Sequence, residues 1–138
     1  MNYLVDTNVL SELARPQPAG EVMDWFVKHE SHLYVSSISL GEIRKGLELL
    51  PRGKRRAGLH VWFKAVCDRM DGRVLSFNTS TAHVWGQLVE SLEKKGVHIP
   101  TVDGQLAATA QRHGLIMVTR NIADFKNAGV KVFNPFGG

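Results

Sequence analysis

The sequence predicts a three-layer α/β/α architecture, with a central parallel sheet of four to five short strands. Two observations carry this. Short apolar runs alternate with helix-patterned stretches, most of ten or more residues, which suits βαβ units rather than hairpins. The first run, Tyr3-Leu4-Val5, ends abruptly in Asp6 and is followed at once by a helix-like pattern. In open parallel sheets, ligands gather outside the carboxyl ends of the strands, and Asp6 falls at such an end.

Taken in order, Tyr3–Val5 reads as a buried first strand. Val9, Leu10 and Leu13 have helical spacing, which Pro16 and Pro18 close. A second helix covers Gly20–Glu30, and Leu33–Ser36 is the next strand. Ser39-Leu40-Gly41-Glu42 matches a capping box, which announces a helix through Leu50 with Glu42 in its first turn. A basic loop leads to a helix from about Arg56 to Met70, and Arg73–Phe77 is a third strand. Asn78 or Thr79 caps a long helix that Gly96 ends. Thr101 caps the next helix, which stops at Gly114. Leu115–Thr119 is the strongest strand signal, a helical turn spans Ile122–Lys126, and Gly129–Phe133 is the last strand. Nothing repeats and nothing reads as a linker, so residues 1–138 are expected to form a single domain.

Composition narrows the class. With 43% hydrophobic and 22% charged residues, the 138-residue chain has the make-up of a water-soluble fold. No apolar stretch nears the roughly 20 residues that span a bilayer, and no secretory signal heads the sequence. A single cysteine, Cys67, allows no internal disulfide and suits a reducing cytoplasm. The net charge of +4 is modest. Its distribution says more: Arg52, Lys54, Arg55 and Arg56 lie close together, just after Arg44 and Lys45. These six form either a solvated loop or a patch that neutralises nucleic-acid phosphates without reading sequence.

Four acids have addresses where this fold gathers ligands. Asp6 follows the first strand, Glu42 starts the helix after the second, Asp103 starts the helix after Pro100, and Asp124 follows Thr119. Topology puts three near one rim, and Asp103 joins them if its helix start faces the same way. Each also has a structural reading: Asp6 and Asp124 as caps, Glu42 as part of the capping box, Asp103 as a favourable charge at a helix start. Carboxylates gathered in one cleft repel each other unless a cation is present. An oxygen-only donor set suits Mg²⁺ or Mn²⁺ rather than zinc, and such an ion can activate water against a phosphodiester. Thr7 and Asn8 shape the turn that presents Asp6. With those four of the 13 acids set apart, nine remain against 17 Lys and Arg, so the rest of the chain is clearly basic.

Four segments closely resemble PIN-domain ribonucleases, in the family's order and approximate spacing. They are Leu4–Ser11, Ser36–Gly46, Val102–Ala110 and Val118–Phe125. The nearest likeness is to the VapC toxins, including FitB-like members, of VapBC toxin–antitoxin systems, and it runs from Asn2 to Pro135. The resemblance implies a single PIN domain that hydrolyses RNA, transfer RNA being its commonest target, with Mg²⁺ or Mn²⁺. It implies Asp6 and Asp103 as principal ligands, Glu42 as third acid, and Thr7 and Thr119 assisting by hydrogen bonds. It further implies a homodimer, a larger assembly with a cognate antitoxin, inhibition by that antitoxin, and contact with DNA through it alone. The chain departs from some members by having Asn121 where they have an acid. The nearest acid is Asp124, and either residue could complete the cluster.

Other chemistries find no support. The six histidines form no metal-binding pair, there is no G-x-S-x-G, and no phosphate-binding glycine loop occurs. Trp25, Trp62 and Trp85 sit in apolar helical patterns and read as core or interface. A non-catalytic binding module with a degenerate acid cluster is the alternative that Asn121 keeps open. A phosphoacceptor receiver domain fits poorly, because Arg120 stands where a lysine would be needed.

Overall fold

The computed structural model describes residues 1–137. Five strands, β1 (Tyr3–Val5), β2 (Leu33–Ser36), β3 (Val74–Leu75), β4 (Ile116–Val118) and β5 (Val132–Phe133), form one sheet in the order β3-β2-β1-β4-β5. Every pairing is parallel. The helices are α1 (Thr7–Leu13), α2 (Gly20–His29), α3 (Ser37–Leu49), α4 (Lys54–Arg69), α5 (Thr79–Lys94), α6 (Thr101–His113) and α7 (Ile122–Lys126), with a 3₁₀ turn at Glu30–His32.

The three layers follow from the two-residue period of the strands. Leu4 and Met117 belong to one apolar cluster, with Leu88, Leu92 and Leu106 from α5 and α6 and Phe125 from α7. Val5, Val35 and Val118 belong to the other, with Val9, Val22, Ile43 and Leu47 from α1, α2 and α3. The sheet is therefore sandwiched, and β1 lies at its centre. The chain runs outward on one side of β1 to β3, then returns over the opposite face to β4. The crevice between β1 and β4, at their carboxyl ends, is thus the topological switch point.

Several local expectations are corrected. The helix after β2 begins at Ser37, with Ser36 as its cap; the Ser36 hydroxyl accepts from the Ile38 N–H at 3.1 Å. Ser39 is inside the helix and fully buried, so no capping box forms, and Glu42 lies in the second turn rather than the first. Pro100, not Thr101, occupies the cap of α6, a position whose own N–H takes no part in the helix's hydrogen bonds, so a residue without one loses nothing there. The third strand is only two residues long. Phe77 gives its N–H to the Ser37 hydroxyl rather than to a strand, and the Arg73 guanidinium binds the carbonyls of Glu30, Leu33 and Arg69. The fifth strand is also two residues, starting at Val132.

Helices α5 and α6 pack closely, with Gly104 beneath Trp85: a Cβ added there would lie 3.2 Å from the indole Nε1. Gly114 ends α6 with φ 65°, a left-handed geometry that costs other residues about 1–2 kcal/mol. The 16 residues of α4 include none that is fully buried.

Truncating Leu106, which has no exposed surface, to alanine should lower stability by about 2–5 kcal/mol. The same change at Leu49, 75% exposed, should stay within about 0.5 kcal/mol. Urea unfolding of the two variants measures both.

Candidate functional site

The site starts from a buried carboxylate at the tip of the central strand. The Asp6 N–H completes the sheet by donating to the Val118 carbonyl at 2.9 Å, and its own carbonyl receives the Val9 and Leu10 N–H groups that begin α1. Its side chain caps that helix: Oδ1 accepts from the Thr7 N–H at 2.7 Å. Oδ2 accepts from the Thr119 hydroxyl at 2.8 Å and from the Asn8 amide at 3.3 Å. The structural reading of Asp6 as a helix cap is thus true, and it coexists with a carboxylate aimed at the switch point.

Thr119 is fully buried, and its hydroxyl also accepts from the Asn121 N–H at 2.9 Å and the Asn8 amide at 3.3 Å. Asn8 returns a carbonyl oxygen to the Arg120 N–H at 3.3 Å. Asn8 therefore ties the turn after β1 to the turn after β4. Thr7 points the other way and gives its hydroxyl to Glu42 Oε1 at 2.7 Å. Glu42, one helical turn further in than expected, reaches the site because Thr7 anchors it.

Asp103, in the first turn of α6, does face the same crevice. Burial pushes its carboxyl up to about 6, helped by the charges of Asp6, Asp124 and Glu42 and by a proton-sharing contact with Asp124. Burial likewise raises the Asp6 carboxyl; the Thr119 and Thr7 hydrogen bonds oppose this, and the Glu42 and Asp124 charges add to it. The four predicted acids therefore feel one another, Asp124 among them, although it is exposed on the short α7. Asn121 caps α7 by position, without a side-chain bond to it. Among the described residues, no three His, Cys, Asp or Glu side chains already form a ready-made metal shell.

The predicted basic patch divides in two. Arg44 and Arg56 both bind Glu48, at 2.9 and 3.0 Å, and His60 lies 3.7 Å from the same carboxylate. Lys45 and Arg52 are exposed. Lys54 and Arg55 line a cavity of about 760 Å³ between α1, α3 and α4 that Thr7 and Glu42 also border. Residues that the sequence did not single out include Glu12, buried in α1. It accepts from the Ala19 N–H at 2.9 Å and from Arg15 at 3.3 Å, fixing the Pro16–Pro18 loop. Its one sequence signal was an acid on the apolar stripe, three residues after Val9.

A family model described as the PIN domain matches residues 3–131. The toxin FitB of Neisseria gonorrhoeae is 37% identical over 96% of this chain and 97% of its own length. The VapC ribonuclease Y4jK of Sinorhizobium fredii is 35% identical over 96% of each. A solved structure of FitAB bound to an IR36 DNA fragment superposes with a TM-score of 0.92 at 36% identity, covering 99% of this chain and 96% of that one.

The raised Asp103 carboxyl fixes a pH dependence. Its proton is held more tightly in the folded state, so its own contribution to stability is fully present below the ordinary value of 3.8 and is lost as pH rises to about 6. Asp103→Asn should remove much of that decline and be more stable than the parent at pH 7, as read from urea midpoints between pH 4 and 8 in chelator. Thr119→Val should cost about 1–3 kcal/mol at neutral pH, because it strips a donor from a buried carboxylate.

Proposed function

This chain belongs to the PIN-domain family, in the group of the VapC and FitB toxins, and from that premise we propose that it is a divalent-cation-dependent endoribonuclease restrained by a cognate antitoxin. The observation that carries the reading is the electrostatic convergence of Asp6, Glu42, Asp103 and Asp124 at the β1/β4 switch point, within an otherwise basic chain.

The donor set fits Mg²⁺ or Mn²⁺. It is all oxygen, and the crowding that raises Asp103 is what a cation would relieve. Asp6 and Asp103 would hold the ion, with Glu42 and Asp124 beside them. When bound, the ion supplies positive charge against the phosphodiester oxygens and the carboxylates together. The chain's own groups do the rest. Thr119, Asn8 and the Thr7 N–H lock Asp6 in one rotamer. Thr7 holds Glu42 by Oε1, which leaves Oε2 to take the proton of an attacking water. Asn121 offers an uncharged amide at the rim, where a phosphate meets less repulsion than an acid would give. The charge of Asp124 is felt by both Asp103 and Asp6, which supports counting it with the cluster.

The proposed substrate is structured RNA, transfer RNA foremost. The proposed setting is the cytoplasm; no helix among the described residues is long and apolar enough to cross a membrane. The kinship with FitB and the likeness to a chain of the FitAB complex on DNA support an antitoxin partner that makes the DNA contact; the chain itself is proposed to be a homodimer.

Incubating the purified chain with transfer RNA should give cleavage with Mg²⁺ or Mn²⁺ and none with EDTA. Asp6→Asn and Asp103→Asn should each lower kcat at least about 100-fold, the scale of losing a preorganised electrostatic group. Cleavage that survives EDTA, or survives both substitutions, would overturn the mechanism.

A further inference from the structure

Asp103 owes its place to the direction of α6, yet the start of that helix lacks the usual fastenings. Pro100 caps it without a side-chain hydrogen bond, and its backbone ladder opens with the Gly104 N–H donating to the Pro100 carbonyl at 2.9 Å. Further along, Leu106, Ala107 and Ala110 are fully buried and hold the helix to the core. In the first turn, residues 101–104, no side chain is fully buried.

Helix α5 is better fastened. Asn78 caps it, its Oδ1 accepting from the Thr81 N–H at 3.0 Å and from the Thr81 hydroxyl at 3.1 Å. Trp85, Leu88 and Leu92 recur at helical spacing on one face and pack in the same cluster as Leu106 and Ala107 of α6. The Trp85 indole thereby comes up against the unfastened turn. A Cβ added to Gly104 would lie 3.2 Å from the indole Nε1, 3.5 Å from its Cδ1 and 3.5 Å from Cγ2 of Ile99. Among the described residues, no other glycine has anything within 3.4 Å of such a Cβ. Gly104 has no positive φ, so its backbone does not require glycine. The indole does. That indole is also a costly filler: its Nε1 is buried and meets no acceptor among the described residues, whereas a phenylalanine ring would bury no N–H. The absent side chain and the longer ring make one fitted pair, one residue away from Asp103.

We propose that Trp85 is a positioning residue for the acid cluster. Its indole edge, seated on Gly104, is the stop that sets how closely the first turn of α6 stands to α5, and hence where Asp103 is held in the crevice. The proposal rests on the cation-site reading given above. Groups that orient a metal ligand act on affinity on the scale of about 10–100-fold.

The test is a double-variant cycle on the full chain. Mn²⁺ binding is read from the electron paramagnetic resonance signal of the free ion. Gly104→Ala crowds the pair and Trp85→Phe loosens it; each should weaken Mn²⁺ binding about 10-fold. In the combined variant the new methyl group takes up space that the indole leaves, and affinity should return to within about 2-fold of the parent. The kcat for RNA at saturating Mn²⁺ should follow the same pattern, with KM unchanged. Gly86→Ala, whose added Cβ meets nothing within 4 Å, is the control and should bind Mn²⁺ as the parent does. Losses that add in the combined variant would mean that the two residues act separately, and the proposal fails. Unchanged affinity in Gly104→Ala would mean that the indole yields instead, into the cavity of about 120 Å³ that it borders with Val89 and Ile99; that overturns the proposal and leaves the ion site standing. Should Gly104→Ala not fold, Trp85→Phe decides alone, since it adds no bulk: a folded Trp85→Phe with the parent's affinity overturns the proposal. A parent that binds no Mn²⁺ refutes the ion site itself, and the positioning role with it.

Discussion

A carboxylate held dry at the end of the central strand governs this structure. Asp6 is 5% exposed, and burial alone would make its charge costly. The fold answers with three donors, from the Thr7 backbone, the Thr119 hydroxyl and the Asn8 amide. Those same donors join the turn after β1 to the turn after β4, the two strands that flank the switch point. The electrostatic need of one residue thus dictates the spacing of the crevice. Thr7 and Thr119 then extend the order outward, one to Glu42 and the other to Asn121.

The remaining acids show what such a crevice costs. Asp103 carries a carboxyl that the folded chain holds well above its ordinary range, so the metal-free fold is working against its own site at neutral pH. Stability given up at a functional cluster is regained in the two apolar layers, where Leu4, Val5, Met117 and Val118 are fully buried. Charge is sorted just as sharply on the outer helices. Glu48 holds Arg44 and Arg56, and Glu12 holds Arg15, while Lys45, Arg52, Lys54 and Arg55 are left exposed.

Much of this was legible in the sequence. The order of strands and helices, and the ends set by Gly96 and Gly114, follow from periodicity and punctuation because each is a local property. The addresses of Asp6, Glu42 and Asp124 follow from topology. What the sequence could not supply were interactions decided across the sheet. Ser39-Leu40-Gly41-Glu42 has the form of a capping box, yet Ser36 starts the helix earlier, and Glu42 is claimed instead by Thr7, 35 residues away. The short β3 reflects Ser37 and the Arg73 carbonyl contacts, which no local pattern announces. Convergence of Asp103 depended on the direction of α6, and the split of the basic patch depended on where Glu48 lies.

The strand order has a temporal side. β1 is the first strand to be synthesised, but its sheet partner on one side is β4, and Asp6 receives its hydroxyl donor from Thr119, 113 residues later. Closing so long a loop is slow and comes late in folding. On a ribosome, the first acid of the cluster would emerge long before the strand that positions it. A chain interrupted before β4 would carry Asp6, Glu42 and Asp103 without the framework that gathers them. If the chain cuts RNA as proposed, its competence waits on the synthesis of β4: Asp6, Glu42 and Asp103 are gathered only once that strand has joined β1.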